Sequence, residues 1–293
     1  MMDTAIIDLW LRMLGSRSSG SDFTPELRQE QQFSAPDFEG ELYFQRTEPD
    51  VCQRMLVMLP RNRSGKCPGV LMPFYYPERL AGCELDGTFA PYPPEKQLIA
   101  WGTALVKQGY IVYAPETCHL NLVPDGGRDD FSRWQRMAQE NSRRHPAWTG
   151  LGKLIYDARL ALDAMAQDPR VDAKRLAAAG HSLGGKLAFY TGCLDERIKV
   201  MICSDFGIWW NQSNWQDNWY WGEKLTELQA GGMEQKDLLA AAGKPMFLIA
   251  GEFDDAASQQ ALQPGDGFFH HGTGHSPTPE SMEKAWQFLA EHL

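Results

Sequence analysis

The sequence predicts an α/β fold in which helices cover both faces of a mostly parallel sheet. From residue 40 onward, short apolar runs alternate with segments of helical periodicity, and this alternation is typical of parallel sheets. The chain has 293 residues, of which 43% are hydrophobic, and this suffices for one large domain with a sizeable core. In such sheets the active groups gather on loops at the carboxyl ends of the strands.

Composition and charge narrow the class of protein. A net charge of −10 argues against nucleic acid and anionic membranes as partners, because both select for basic surfaces. No window approaches the length of a membrane span, and residues 1–15 lack the basic start and long apolar core of a signal peptide. The six cysteines are scattered without metal-ligand spacing. We therefore expect free thiols, no metal and a cytoplasmic location.

The elements follow in order along the chain. Residues 1–39 are expected to form an N-terminal helix over 5–14 and a linker that is rich in Ser and Gly at 15–21, and residues 40–293 the main domain. A hairpin is predicted at 41–46 and 52–59. Further strands are predicted at 70–75, 110–114, 176–179, 200–203, 245–250 and 267–270, and helices at 93–108, 150–168, 185–198 and 278–293.

Two long segments interrupt this alternation. The loop at 115–145 is charged and rich in turn residues, and loops of this length usually have a function or are mobile. An aromatic-rich insertion at about 206–243 is expected to form a small cap. We expect its Trp209, Trp210 and Trp215 to wall a substrate pocket. The alternative is that these tryptophans form the cap's own small core.

One motif organises the predicted active site. The stretch Gly180-His181-Ser182-Leu183-Gly184 follows an apolar strand and precedes a helix, which is the context of a nucleophile elbow. There the serine occupies a strained turn and its hydroxyl points out of the sheet edge. The alternative is a glycine-rich turn with an incidental serine, but an acid and a histidine follow in the expected order. His181 is expected to have a structural role and to point away from the line of attack.

The base is predicted to be His275. It follows Gly272-Thr273-Gly274, a flexible turn that can direct an imidazole across the sheet edge. His270 and His271 are competitors, but they lie in or at the end of a strand, where the sheet would determine their direction.

Three carboxylates are candidates for the acid that orients this base. Asp254 is the first choice, because it follows a strand with the spacing Gly-x-x-Asp. Asp255 is adjacent to it, and Asp205 follows the strand after the elbow helix, where some hydrolases place their acid. The alternative for each is a solvated turn carboxylate or a helix cap.

An oxyanion hole needs two N–H donors. The backbone N–H of Leu183, at the start of the elbow helix, is expected to supply one. The other should come from the loop after the strand at 70–75. Because Pro77 has no N–H, we expect Tyr75 or Tyr76 to supply it.

Three stretches together resemble the dienelactone-hydrolase-like and acetyl-xylan-esterase-like branch of the α/β-hydrolases. They are Gly180 to Lys186, Leu194-Asp195-Glu196-Arg197-Ile198, and His271 to Ser276. The resemblance covers roughly residue 40 to the end of the chain, and it implies a serine hydrolase that acts on small esters without a cofactor. Dienelactone hydrolases themselves use a cysteine nucleophile, and Ser182 takes that place here.

These observations predict a serine carboxylester hydrolase with a small-molecule substrate. The serine would attack the ester carbonyl, and the histidine would transfer the proton to the leaving alcohol. Two alternatives are an amidase or peptidase with the same triad, and a catalytically silent binding protein on a hydrolase scaffold. The acyl and alcohol groups of the substrate and the oligomeric state do not follow from the sequence.

Overall fold

The computed structural model describes residues 3–15, 25–252 and 254–293. Within these ranges, nine strands form a single sheet in the order β1-β2-β3-β5-β4-β6-β7-β8-β9. The strands are β1 (Leu27–Ser34), β2 (Glu39–Glu48), β3 (Val51–Leu59), β4 (Cys67–Leu71), β5 (Ile111–Pro115), β6 (Val171–His181), β7 (Ile198–Ser204), β8 (Met246–Ala250) and β9 (Gly267–His270).

Helices connect these strands. They are α1 (Thr4–Leu14), α2 (Pro77–Ala81), α3 (Pro94–Gln97), α4 (Trp101–Lys107), α5 (His119–Leu122), α6 (Ser132–Arg144), α7 (Gly150–Gln167), α8 (Leu183–Leu194), α9 (Lys224–Ala230), α10 (Gln235–Ala242) and α11 (Pro279–His292). A 3₁₀ helix spans Ala256–Ala261. None of the helices in the described ranges is long and apolar enough to cross a bilayer.

The sheet is antiparallel at one edge and parallel over the rest. The pairs β1–β2, β2–β3 and β3–β5 are antiparallel. The pairs from β5 through β4, β6, β7 and β8 to β9 are parallel. The predicted mostly parallel sheet is therefore confirmed. Because β6, β7, β8 and β9 are consecutive neighbours, the loops after them meet at one edge of the sheet.

The core lies on both faces of this sheet, which explains the continuous apolar runs. Along β6, Leu176 and Ala178 belong to one buried cluster, and Ala177 and Ala179 belong to the other. Side chains alternate between the faces of a strand, so a strand covered on both sides must be apolar at every position. Small alanines allow helices to pack closely at this point.

Three elements differ from the predictions. Strand β1 was not expected, because it is a polar edge strand whose residues are almost all exposed, so it carries no apolar signal. The single helix predicted at 93–108 is two helices, α3 and α4. The segment 115–145 is not one long loop, since it contains α5 and α6. Helix α6 buries only one narrow stripe of a strongly polar segment, which hides its periodicity.

The N-terminal helix packs on the main body of the protein. Its N-cap is Asp3, whose carboxylate accepts from the amides of the first turn. Ile7, Trp10 and Leu14 are buried on one face, against α7, α8 and α10. Apart from Gly15, the linker predicted at 15–21 lies outside the described residues. The division of the chain at residue 40 remains a prediction.

Candidate active site

A sharp turn between β6 and α8 presents Ser182. Its backbone has φ 56° and ψ −117°, a conformation that L-residues rarely adopt. A Cβ on Gly180 would lie 2.2 Å from the carbonyl of Gly184, and a Cβ on Gly184 would lie 2.8 Å from the carbonyl oxygen of Pro73. Both positions therefore require glycine. The local sequence forms the nucleophile elbow that the motif predicts, directly against the loop after β4.

The structure brings Ser182 and His275 together across 93 residues of sequence. The Nε2 atom of His275 lies 2.8 Å from the Oγ atom of Ser182. Burial lowers the pKa of His275 to about 4, and the charge of Lys186 acts in the same direction. The imidazole is therefore neutral at pH 7, which is the form that can accept the proton of a serine hydroxyl. His270, by contrast, is exposed on β9.

Asp205 lies in a buried cluster behind the base. It is fully buried and its φ is 49°. Ser204 Oγ donates to its Oδ2 atom at 2.5 Å, and His181 Nδ1 and His271 Nε2 each lie 3.7 Å from its carboxylate. Burial raises its pKa to about 8, although the Ser204 hydrogen bond lowers it. Asp205 therefore faces two histidines other than His275.

Asp254 and Asp255 lie on the neighbouring loop, after β8. Asp254 is 1% exposed, and burial raises its pKa to about 6, against the lowering effect of the Gly207 amide and of Lys186. Asp255 accepts a hydrogen bond from Gln212 Nε2 at 3.3 Å. Phe253, which immediately precedes Asp254 in the sequence, lies outside the described residues. All three candidate acids share the sheet edge with His275, and the choice among them remains a prediction.

His181 lies beside the base and not away from the site. It is buried, and the centre of its ring is 4.6 Å from that of His275. Its Nδ1 atom is 3.2 Å from Ser204 Oγ. Burial places its pKa well below the usual value, so the ring is neutral. It also lines the cavity at Ser182, a position that its place in the elbow motif did not predict.

A cavity of about 480 Å³ opens above Ser182. Aromatic rings make up about half of its lining residues, and the others are mainly polar or charged. Besides Ser182, His181 and His275, it is lined by Phe74, Tyr75, Tyr76, Arg79, Ile99, Arg128, Asp129, Phe131, Trp134, Ser213, Asn214 and Tyr220. Phe131 is 63% exposed, which is unusual for a large apolar side chain.

The tryptophans expected to contact substrate lie elsewhere. Trp210 and Trp215 are buried and do not line this cavity; they pack with Trp10 and Trp221 in the core beneath the cap. Trp209 is half-buried and packs under Lys236, also outside the cavity lining. This corrects the expectation for all three. Trp210 and Trp215 bury large apolar area in this core.

The rings that do wall the cavity come partly from a segment whose function was not assigned. Phe131 precedes α6, and Trp134 lies on its first turn. Trp134 stacks on the buried His119, with ring centres 4.2 Å apart. These two aromatic residues stand out in the sequence because they lie in a mostly charged stretch. The length of the loop predicted there already indicated a function, so the two rings could have been predicted to contact the cavity.

The loop expected to complete the oxyanion hole lies in place. Tyr75 and Tyr76 line the cavity together with Ser182, and Leu183 begins α8 directly after it. The hydroxyl of Tyr76 accepts from Arg79 Nε at 2.8 Å and donates to Asp129 at 2.9 Å. These bonds hold the Tyr76 side chain. The assignment of the two N–H donors remains a prediction.

The described residues contain no group of three or more His, Cys, Asp or Glu side chains that could hold a metal ion. The cavity presents a hydroxyl beside a neutral imidazole, and buried carboxylates lie on the adjacent loops. Such a set can perform nucleophilic catalysis on a carbonyl group.

Comparison with solved structures shows the α/β-hydrolase fold. A glucuronoyl esterase from Solibacter usitatus superposes with a TM-score of 0.70 at 13% identity, over 99% of this chain and 91% of that chain. Acetyl xylan esterase 1 from Thermoanaerobacterium sp. JW/SL YS485 gives a TM-score of 0.60 at 15% identity, over 97% and 93%. The fold that the motifs predicted is thus confirmed.

Sequence similarity to curated proteins covers a smaller part of the chain. A Saccharomyces cerevisiae protein, provisionally named as a carboxymethylenebutenolidase, is 30% identical over 103 residues, which are 35% of this chain and 36% of that protein. The curated relatives are matched over only 17% and 36% of their own length. No family model matches the chain.

Proposed function

We propose that this protein is a serine hydrolase that cleaves small carboxylic esters through an acyl-enzyme intermediate. The observation that carries this proposal is the contact of 2.8 Å between Ser182 Oγ and His275 Nε2. It occurs in a strained elbow, at the floor of a cavity with aromatic walls. The similar structures named as esterases support the same reaction class.

The reaction follows from the position of each group. His275 removes the proton of Ser182 as its Oγ atom attacks the ester carbonyl, and a tetrahedral intermediate forms. The N–H of Leu183 and that of Tyr75 or Tyr76 hold the oxyanion. The imidazolium then protonates the leaving alcohol. Water, activated by the neutral imidazole, attacks the acyl-enzyme and releases the acid.

The first test is removal of the nucleophile and the base. Ser182→Ala and His275→Gln should each lower kcat for p-nitrophenyl acetate by about 10³-fold or more, because these two groups act as one unit. His270→Gln removes a neighbouring exposed histidine and should leave kcat unchanged. A fluorophosphonate probe should label Ser182 in the folded wild type. Labelling at another serine, or full turnover by Ser182→Ala, would show that the nucleophile is wrong.

We propose Asp254 as the acid that orients His275. The acid must be ionised to stabilise the imidazolium, and a pKa of about 6 leaves Asp254 mostly ionised at pH 7. Asp205, with a pKa of about 8, is mostly protonated there. Asp254→Asn should therefore lower kcat by about 10³- to 10⁴-fold with the fold intact. Asp205→Asn and Asp255→Asn are the comparison variants, and a larger loss in either would transfer the role to it.

Carbohydrate esters are the first substrates to test. Two similar structures are named for glucuronoyl and acetyl xylan esters, and the aromatic walls of the cavity can stack against the faces of sugar rings. A panel of acetylated sugars, short-chain esters and aromatic esters would rank the candidates by kcat/KM. We also propose a cytoplasmic location, which the six free cysteines support.

A further inference from the structure

Lys186 is a buried amine that takes part in none of the proposed bond-making steps, although it lowers the pKa of both His275 and Asp254. Burial lowers its own pKa to about 7. It lies on the first turn of α8, four residues after Ser182, and its side chain is fully buried. It is not among the residues that line the cavity. An ammonium group removed from water is costly unless it is held by several partners, so its contacts indicate what it is for.

Among the described residues, the hydrogen bonds and ring contacts of this amine are with the first part of the cap. Its Nζ atom donates to the carbonyl oxygen of Phe206 at 2.9 Å and to Ser213 Oγ at 2.8 Å. It also lies 4.5 Å from the ring centre of Trp215 and 5.3 Å from that of Tyr220, within the range of cation–π attraction. One side chain of the nucleophile helix thus contacts four residues spread over fifteen positions of the insertion.

The same part of the cap forms one wall of the cavity. Ser213, Asn214 and Tyr220 line it opposite the loop after β4. Ser213 has φ 53°, a strained value that persists only where its surroundings hold it. Gln212, the residue before it, is held by a hydrogen bond of 2.9 Å to Ser258 Oγ in the 3₁₀ helix. Hydrogen bonds therefore attach this wall to the rest of the domain at two points, from Gln212 to the 3₁₀ helix and from Lys186 to Ser213.

We propose that Lys186 is a positioning residue that determines which esters the site accepts. It sets the distance between the wall 213–220 and Ser182, and this wall contacts the part of the substrate beyond the scissile bond. The inference rests on the proposed ester hydrolysis. A small ester, which does not reach the wall, should depend on Lys186 only through its effect on the pKa of Asp254 and His275, whereas a bulky ester should also depend on the position of the wall.

The test compares two esters in the variant Lys186→Met. Methionine keeps the volume and the apolar stem but removes the charge and both hydrogen bonds. The kcat values for the two esters should change by the same factor, because Lys186 lowers the pKa of Asp254 and of His275 whichever ester is bound. For p-nitrophenyl benzoate, kcat/KM should fall about tenfold or more beyond its change for p-nitrophenyl acetate, with this additional loss in KM. An equal loss of kcat/KM for both esters, or no loss for either, would overturn the proposal.

Ser213→Ala provides a second variant that removes the other end of the same hydrogen bond and is expected to fold even if Lys186→Met does not. Its KM for the benzoate ester should also rise. In the double variant, the two effects should not add, because both act through one contact. Additive effects would show that the lysine acts by another route.

Lys244→Met is the matched control. Lys244 Nζ donates to the carbonyl oxygens of Gly192 at 2.7 Å and Asp195 at 2.6 Å, at the far end of the same helix. Its loss should lower the melting temperature but leave the ratio of kcat/KM between the two esters at the wild-type value. A shift of that ratio as large as in Lys186→Met would contradict the specific role of Lys186.

Hydrogen exchange separates this proposal from the proposed function. In Lys186→Met, amides of residues 206–220 should exchange faster than in wild type, while those of β6 should not change. This measurement needs no turnover, so it holds even if neither ester is a substrate. Unchanged exchange at 206–220 would overturn the positioning role, whereas the absence of Ser182-dependent turnover in wild type would overturn the proposed function.

Discussion

Single residues at the candidate active site adopt backbone conformations that cost energy. In the described part of the chain, four non-glycine residues have positive φ, and Ser182, Asp205 and Ser213 are three of them. Each such conformation costs about 1–3 kcal/mol and needs surroundings that hold it. All three lie around one cavity or directly behind it. Three of the four strained residues in the described part of the chain are therefore concentrated at the candidate active site.

Gly180→Ala tests how much the elbow depends on close approach. The new Cβ would lie 2.2 Å from the backbone of Gly184, which cannot yield as a flexible side chain can. We expect a loss of about 1–3 kcal/mol in the free energy of unfolding and at least about 100-fold in kcat/KM, because the Ser182 hydroxyl shifts.

The matched control is Gly127→Ala. A Cβ there meets no atom within 4 Å, so urea unfolding and turnover should match those of wild type. If Gly180→Ala behaved like this control, the elbow would be more plastic than its geometry indicates.

At the scale of elements, helix α1 stabilises the cap through one aromatic core. Trp10 is 1% exposed, and its ring centre lies 5.8 Å from Tyr190 on α8, 6.1 Å from Trp210 and 5.8 Å from Trp221 in the insertion. The backbone also joins α1 to α7, since Thr149 N–H donates to the Leu14 carbonyl at 2.9 Å. The helix therefore bridges the nucleophile helix and the cap.

Trp10→Ala should destabilise the protein by about 3–5 kcal/mol, because a large buried ring leaves a cavity that its neighbours fill only in part. Leu9→Ala on the same helix is the control: Leu9 is 37% exposed, and its loss should cost less than about 1 kcal/mol. Urea unfolding measures both values. Equal losses would show that α1 contributes by its backbone contacts and not by this ring.

At the scale of the whole molecule, a buried ionic network joins the sheet to two helices far from the cavity. Lys153 on α7 is fully buried, and its Nζ lies 2.8 Å from Glu48 Oε1 on β2 and 2.7 Å from Asp157 Oδ1. Arg144, at the end of α6, lies 3.2 Å from Glu48. Burial raises the pKa of Asp157 to about 6 despite the lysine. Burial is also the largest single effect on Glu48, but the charge and hydrogen bond of Lys153 and the contact with His145 together lower the pKa of Glu48.

Lys153→Met should cost about 3–5 kcal/mol of stability at pH 8, since two buried carboxylates lose their main partner. The folded pKa of Asp157, which is already above its unfolded value, then rises further, so the folded state binds more protons than the unfolded state. Stability of the variant should therefore fall as pH rises from 5 to 8. Urea unfolding at both pH values tests this.

Lys174→Met, at an exposed position, is the control for this substitution and should change stability by less than about 0.5 kcal/mol at either pH. A loss in Lys153→Met that is the same at pH 5 and pH 8 would mean that the orphaned carboxylates are solvated and not buried in the variant.

Local sequence determined much of the fold and the reactive pair. The elbow at Ser182 depends on Gly180 and Gly184, and helix α11 begins where Thr278 caps it and Pro279 follows. These features depend on neighbours within about four positions, which a sequence displays directly. His275 could be predicted because the order of parallel strands places its loop at the same sheet edge as Ser182.

Only the tertiary structure decided which other side chains share the cavity. Phe131 and Trp134 reach it from α6, while Trp210 and Trp215 turn into a core with Trp10 from the opposite end of the chain. The sequence of the insertion is compatible with either arrangement, because an aromatic ring is equally suited to a core or a pocket wall. Composition and periodicity thus determined the sheet and the sharp turn at Ser182, because these depend on near neighbours in the chain. Long-range packing decided which side chains line the cavity.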